Sequence, residues 1–368
     1  MTKDSIQQNA IEHWIAAGKI GTIILPTGVG KTRIGIMAHD QVGGKTLIVT
    51  SLGVIVEGWH KELGSREAVV QVINSAHKTK VEVDLLIVDE VHRALSPTFS
   101  KVFENVTYKY LLCLTASLPE SEERQQLLIS KAPIVYSKNI KDVKAVMAPC
   151  TVHKVVVNLN KVQKAQYNFF NQKFIAAAIQ VAKLKKQTHP ATSVFDFAKL
   201  HATSTKHNDV TKVCKAYWSY MQLRKRVLYN NDEKIKTIKK ILSYPSSTKT
   251  IVFCNTIMFA EKVARILDKP VYHSKLTHKE RELALSLFKD CIVTVSALNE
   301  GIDIVDADTG IAVSSVSSRI INTQQLGRVN RKYGNKVSNF YNLYVEGTPE
   351  ERWVNSKLKS MEWQQTIV

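Results

Sequence analysis

Residues 22–32 read TIILPTGVGKT, and RIGIMAHD follows at 33–40. Thr22 to Leu25 form an aliphatic, β-branched run that suits a buried strand, and the spacing from Lys31 onward suits a helix. Between them lies the loop Thr27-Gly28-Val29-Gly30-Lys31-Thr32. A strand, a glycine loop and a helix in this order point successive backbone N–H groups and a helix N-terminus at one anion. Lys31 then reaches the β- and γ-phosphates of a nucleotide, and Thr32 is placed to ligate Mg²⁺. Leu25 stands where the pattern GxxxxGK[ST] asks for glycine.

Outward from this unit the same alternation repeats. TIILP, TLIVTS, VVQVI, LLIVDE, YLLCLTAS and PIVYS are short apolar segments separated by stretches with helical spacing, up to about residue 136. TIVFCN, PVYH, CIVTVS, TGIAVSS and NFYNLYV repeat the pattern after residue 233, and TVHKVVVNL at 151–159 reads as a strand of the same second sheet. Alternation of this kind predicts parallel sheets covered by helices on both faces. The expected division is a first α/β lobe over 1–148 and a second over 149–368, with Ala148-Pro149 as the linker. Residues 161–231 differ: KVQKAQYNFFNQKFIAAAIQVAKLKK and DVTKVCKAYWSYMQLRKRVLYN are long, glycine-free and helical. They predict a helical insertion of two long helices in the second lobe, separated by a polar turn around His189-Pro190.

Two further segments carry chemistry. LLIVDEVH ends a buried strand in paired carboxylates: Asp89 can hold the metal shell while Glu90 orients and deprotonates an attacking water. In QQLGRVNR, Gln324 precedes Arg328 and Arg331, whose i, i+3 spacing puts two cations on one helix face, as stabilising one transferring phosphoryl group requires. Either segment alone is commonplace on protein surfaces. Together with a phosphate loop they describe an ATP-hydrolysing site divided between two lobes.

The bulk composition narrows the partners. The chain has 368 residues and a formal net charge of +19. Residues 1–139, 140–230 and 231–368 contribute +1, +13 and +5. The excess therefore sits in the middle of the chain, and it favours a polyanion. Lys212, Lys215, Arg224, Lys225 and Arg226 form its densest stretch, beside Tyr217, Trp218 and Tyr220; cations neutralise phosphates, and an aromatic ring can stack on an unpaired base. Cys113, Cys150, Cys214, Cys254 and Cys291 are scattered, which suggests neither a disulfide framework nor a zinc site. No run of 18 apolar residues exists, and MTKDSIQQ lacks an apolar signal region, so no membrane association and a cytoplasmic location are expected.

The ordered motifs resemble those of the superfamily 2 helicases of the DEAH-like branch, with the box here reading Asp89-Glu90-Val91-His92. IQQNAIEHW at 6–14 resembles the adenine-reading motif, LPTGVGKT motif I, TSLGVIVEGWHKEL motif Ia, LTAS (Leu114 to Ser117) motif III, IVFCNT motif IV, SALNEGIDI motif V and QQLGRVNR motif VI. In this family the residue at Leu25 is commonly not glycine. The resemblance implies two RecA-like lobes, ATP and Mg²⁺ as cofactors, and a site in which Gln7 reads the base. Gly28 to Thr32 would hold the phosphates and metal, Asp303 the ribose, and Gln324, Arg328 and Arg331 would complete the site from the second lobe. His92, Thr115 and Ser117 would couple nucleotide state to lobe orientation. Ser51, His77, Asn255, Thr294 and Ser296 lie in or beside motifs that touch the nucleic-acid backbone in the family, although INSAHK is a loose match to motif Ib and Val295 replaces a common threonine.

DEVH in place of DEAD, and Gln324 where RNA helicases of the DEAD type have histidine, resemble the compact branch that includes RecG, XPB and the UvsW-type phage recombination helicases. The expectation is an ATP-dependent DNA helicase or translocase acting on duplex or branched DNA: forks, junctions or R-loops. A minimal motor without large accessory domains, of a bacterium or phage, is the expectation. Three alternatives share its motifs: an RNA helicase, the motor subunit of a restriction or nuclease assembly, and an ATP-gated clamp. The last would normally lack a catalytic residue, and Lys31, Glu90, Arg328 and Arg331 are all present.

Overall fold

The computed structural model describes residues 2–51, 53–119, 121–189, 192–205, 208–244, 249–295, 307–314, 325–329, 337–359 and 365–367. In the N-terminal part, β1 (Ile20–Ile24), β2 (Thr46–Thr50), β3 (Val69–Val72), β4 (Val81–Asp89), β5 (Val106–Thr115) and β6 (Ile134–Ser137) form one sheet ordered β3-β2-β4-β5-β1-β6. Its described pairings are all parallel. Parallel strands covered on both faces read as continuous apolar runs, which is why IGTII and TLIVT look as they do. Along β4 the side chains still alternate: Leu85 and Ile87 join Ile6, Trp14, Ile34 and Trp59 on one face. Leu86 and Val88 join Val102, Phe103 and Leu128 on the other. The helices supplying these layers are α1 (Lys3–Ala16), α2 (Lys31–Val42), α3 (Gly53–Leu63), the one-turn α4 (Ile73–Ala76) and α5 (Val102–Asn105), and α6 (Glu122–Lys131).

The register decides where the chemistry lies. Ile24 stands opposite Thr115, and Asp89 opposite Leu114. Because β5 lies between β1 and β4, the loop after β1, the carboxylates ending β4 and the threonine ending β5 emerge at the same edge. Ligands of open parallel sheets bind at this carboxyl edge, where the order of strands reverses.

The second sheet contains β7 (Cys150–Val156), β8 (Thr250–Cys254), β9 (Val271–Tyr272), β10 (Cys291–Val295), β11 (Thr309–Ala312), β12 (Ser338–Tyr344) and β13 (Gln365–Ile367), ordered β13-β7-β12-β11-β8-β10-β9. These described pairings are parallel too. Two parallel α/β sheets with flanking helices agree with the expected RecA-like pair.

The segment between β7 and β8 holds three helices, two of them long, followed by α10 (Asp232–Leu242), where the sequence predicts two helices over 161–231. They are α7 (Lys161–Thr188), α8 (Val194–Ala202) and α9 (Asp209–Tyr229). The extra helix α8 begins at Ser193, whose side chain caps the Asp196 N–H. It places Phe197 and Ala198 in a small core with Val181, Cys214, Tyr217 and Met221. Without α8 those apolar faces of α7 and α9 would lie open to water, so a short apolar stretch after the turn is recruited as their lid. Also described are α11 (Ile257–Leu267), α12 (His278–Ser286) and α13 (Pro349–Lys359).

Lys234 on α10 and Glu350 on α13 are fully buried and paired, Nζ lying 2.9 and 3.1 Å from the two carboxylate oxygens. Lys234 also donates to Ser314 just after β11, and Glu350 accepts from the Val345 N–H. This network fastens α10, α13 and the end of β11 together. All five cysteines are buried, and none forms a disulfide. Among the described residues no helix is long and apolar enough to cross a membrane, and no cluster of three metal-ligating side chains occurs.

Candidate active site

The loop expected to bind phosphate is shaped by two glycines in the left-handed region, Gly28 at φ +90° and Gly30 at φ +97°. There a side chain would be strained, and at Gly30 a Cβ would also run into Gln7 Nε2. Helix α2 starts at Lys31 with no side chain capping its N-terminus, so its first N–H groups are left for an anion. Leu25 is fully buried, its N–H bonded to Thr115 O and its own carbonyl accepting from Lys31 Nζ at 3.2 Å. That accounts for the absent glycine: the position is the last core residue of the sheet and lies before the loop opens. Gln7, itself buried, donates through Nε2 to Val29 O at 2.8 Å and so ties α1 to the loop.

Beside the loop stand the carboxylates. Lys31 Nζ is 3.9 Å from Glu90 Oε1, and both side chains are about a tenth exposed. Glu90 has φ +49° and ψ +49°, a left-handed backbone that costs a β-carbon-bearing residue on the order of 1 kcal/mol. It is held there by its N–H donating to Asp89 Oδ1 at 2.9 Å and its carbonyl accepting from Arg93 N. Its buried Oε2 has no hydrogen-bond partner among the described residues; His92 Nδ1 approaches to 3.4 Å without the geometry of a bond. Burial, and next the neighbouring Glu90 charge, push the Asp89 carboxyl up to about 6, against the opposing pull of Lys31.

Thr115 Oγ1 donates to Ser117 O at 2.9 Å, so its contact with His92 Nδ1 at 3.2 Å requires the imidazole to carry its proton on Nδ1. Burial pulls the His92 pKa down, which keeps the ring neutral. A continuous chain of contacts thus joins Glu90, His92, Thr115 and Ser117.

The second lobe reaches this edge through the helical stretch 325–329. A Cβ on Gly327 would collide with the Thr27 side chain, so this glycine permits the stretch to sit against the phosphate loop. Arg328 is buried, and burial pushes its guanidinium down to about 10, while the Glu90 charge favours the ionised form. Gln7, Thr27, Gly28, Val29, Gly30, Lys31, Thr32, Asp89, Glu90 and Arg328 are therefore gathered in one place. Ser296, Asp303, Gln324 and Arg331 lie outside the described residues.

The expected backbone-contacting residues are less alike than their motifs suggest. Ser51 and His77 are each 8% exposed, and His77 is bonded to Ile73 O. Thr294 is wholly buried in β10, its hydroxyl without a partner among the described residues, so no surface is left on it for a phosphate. Asn255 follows β8, with its Nδ2 buried. On α9, Lys212, Lys215 and Arg226 are exposed. Arg224 instead lies over the Phe174 ring at 3.6 Å and bonds to Asn171, and Lys225 lies over Trp353 at 5.7 Å. Of the five clustered cations, then, three face water and two serve packing within the insertion and against α13. Tyr217 is core, and Trp218 packs against Phe195.

One close neighbour of the site gives no signal in the sequence: the Trp59 indole N–H donates to Asp89 Oδ2 at 3.1 Å. Thirty positions separate the two residues, and nothing in the spacing of either motif predicts their meeting.

Known helicases and translocases resemble this chain in sequence and in fold. The family described as helicase conserved C-terminal domain matches residues 233–333. The chain is 25% identical to the DNA 3'-5' translocase XPB2 of Sulfurisphaera tokodaii, covering 94% of this chain and 82% of that protein. It is 23% identical to the DNA 3'-5' helicase XPB of Kineococcus radiotolerans and 24% identical to that of Mycobacterium tuberculosis, spanning 60% and 55% of their lengths. In fold it is similar to the Hef helicase domain of Pyrococcus furiosus, with a TM-score of 0.55 at 18% identity, covering 95% of this chain and 98% of that domain.

Proposed function

We propose, from the premise that this chain is a superfamily 2 helicase domain homologous to XPB- and Rad25-type DNA helicases, that it hydrolyses ATP to move along duplex or branched DNA. The observation that carries the reading is the seating of buried Arg328 within the field of Glu90, with Gly327 against Thr27. A cation from the second sheet then completes a nucleotide site built on the first, so hydrolysis and lobe closure are one event.

The residues fit a nucleotide with Mg²⁺: an uncapped helix N-terminus, two left-handed glycines and a buried carboxylate oxygen without a partner. Gly28 to Thr32 bind the phosphates through backbone N–H groups, and Lys31 leaves Leu25 O for the β- and γ-phosphates. Thr32 and Asp89 hold Mg²⁺, which when bound neutralises phosphate oxygens. Gln7 recognises the adenine. Glu90 accepts a proton from the attacking water through Oε2, and its strained backbone fixes the direction of that oxygen. Arg328, with Gln324 and Arg331, stabilises the charge that develops on the transferred phosphoryl group. Asp303 holds the ribose. Protonated on Nδ1, His92 passes any shift of Glu90 to Thr115 and Ser117.

Strand polarity is proposed to be 3'-5', as in the relatives' names. Lys212, Lys215 and Arg226 grip the phosphate backbone from the insertion, while Ser51 and Asn255 do so from the lobes. Forks, junctions and R-loops are the proposed substrates, in a bacterial or phage-infected cytoplasm. The test is the ATPase rate with single-stranded DNA, duplex, fork, Holliday junction and RNA side by side. Stimulation by duplex or branched DNA above RNA is expected; stimulation by RNA alone would replace this reading with an RNA helicase.

A further inference from the structure

Helix α3 touches three things at once. At its start it follows Ser51, the end of the segment that leads out of β2. In its middle, Glu57 Oε1 lies 3.4 Å from His278 Nε2 on α12, a contact between elements of the two sheets. On its inner side Trp59, 1% exposed, sends its indole N–H to Asp89 Oδ2 at 3.1 Å. The far edge of the same ring rests on α2, where a Cβ at Gly35 would collide with Cη2. One rigid side chain therefore spans the helix that carries Lys31 and the carboxylate that ends β4. Asp89 has two donors among the described residues, the Trp59 indole on Oδ2 and the Glu90 N–H on Oδ1. The second belongs to the adjacent residue and moves with it. Only the first comes from another element.

We propose that Trp59 is a positioning residue for Asp89, setting the carboxylate rotamer and making the affinity for Mg²⁺ depend on where α3 lies. This rests on the reading of Asp89 as a metal-holding residue. The physical ground is general: a hydrogen bond to a ligating carboxylate orients it before the metal arrives, and loss of such a partner weakens metal binding about 10-fold or more. An indole is suited to the task because it has a single donor, no acceptor and two torsions, both locked here by packing against Gly35. A displacement of α3, whether from the α12 side or from DNA near Ser51, would rotate the indole and with it Asp89.

The test is Trp59→Phe, which keeps an aromatic ring against α2 and removes the N–H. The Mg²⁺ concentration for half-maximal tightening of ADP binding, followed by calorimetry, should rise about 10-fold. Affinity for ADP without Mg²⁺ should be unchanged, and saturating Mg²⁺ should restore the ATPase rate. A residue that merely fills space would instead lower thermal stability and escape rescue by Mg²⁺. A second measurement uses the unaltered chain labelled with ¹⁵N-tryptophan: adding Mg²⁺ to the ADP complex should shift one indole N–H resonance, the one absent from the Trp59→Phe spectrum. Should that variant not fold, slow exchange with solvent narrows the shifted resonance to Trp59 and the equally buried Trp14, and its survival in Trp14→Phe assigns it to Trp59. An unchanged Mg²⁺ requirement, or no indole resonance moved by Mg²⁺, overturns the proposal. Failure to bind ADP at all would contradict the nucleotide site itself and not the role of Trp59.

Discussion

The phosphate-loop edge of the first sheet and the helical insertion carry their charges in opposite ways. At the edge, Lys31, Glu90 and Arg328 are each about a tenth exposed or less. They face one another, and Glu90 has a strained backbone and an unbonded oxygen. In the insertion, Lys212 lies 3.7 Å from Asp209, both side chains largely in water. Buried charges act at full strength on one small target, so each is expected to be indispensable. Exposed charges act by displacing counterions from a long polymer, so each adds a modest increment. On the proposed reading one region serves chemistry and the other hold.

The sharpest way to break that contrast is Glu90→Gln. Hydrolysis should fall about 10²- to 10⁴-fold, because the water loses its base, while ATP affinity survives. Lys31→Ala should also stop turnover, but by weakening ATP binding. Rapid-quench hydrolysis and equilibrium binding on both variants separate the two effects; wild-type turnover in Glu90→Gln would remove the carboxylate from the chemistry.

The insertion should respond by increments. Replacing Lys212, Lys215 and Arg226 with glutamine should flatten the slope of log K against log salt by about 0.9 for each duplex phosphate that is no longer neutralised. Basal ATPase should be untouched, and only its stimulation by DNA should fall. Arg224→Gln should behave differently, since its guanidinium lies on Phe174: it should lower the melting temperature of the insertion more than it alters the salt slope. A triple variant with an unchanged slope would make the exposed cations a solvated surface, leaving the two lobes to hold the track.

The smallest effect concerns Asp89, whose carboxyl stands at about 6 in the folded chain against 3.8 for the ordinary group. A raised acid pKa means that the fold without Mg²⁺ prefers the protonated form, so this stability contribution is present at low pH and is lost as pH rises from about 4 through 6. Relative to the parent chain, Asp89→Asn should therefore gain stability over that window, by on the order of 1–2 kcal/mol, allowing for water near the site. Thermal melts at pH 4 and 7 without Mg²⁺ check it. A difference between the two chains that does not change with pH would show that Asp89 is not desolvated.

Much of this contrast is legible along the chain, for a physical reason. A phosphate loop and a strand-end carboxylate pair depend on adjacent residues, so TGVGKT and DEVH carry their geometry locally. The strands of both sheets are legible because burial on both faces makes them continuous apolar runs. Side chains that meet from distant positions are not. Trp59 meets Asp89 across 30 residues, and Lys234 meets Glu350 across 116. The inward turn of Arg224 and Lys225 is equally hidden, since LRKR reads as a run of polar-face positions until the partners Phe174 and Trp353 are known. Helix α8 escapes a reading of the sequence for a related reason: its apolar residues matter only as the cover of a core formed by two other helices.

The claim that the two sheets share one catalytic site is tested most directly by Arg328→Ala in the full chain, with ATP binding and single-turnover hydrolysis measured in the presence of duplex DNA. The account predicts ATP affinity close to that of the unaltered chain and hydrolysis slowed roughly 10³-fold or more. Hydrolysis at the unaltered rate, still stimulated by DNA, would mean that the first lobe works alone and would contradict it.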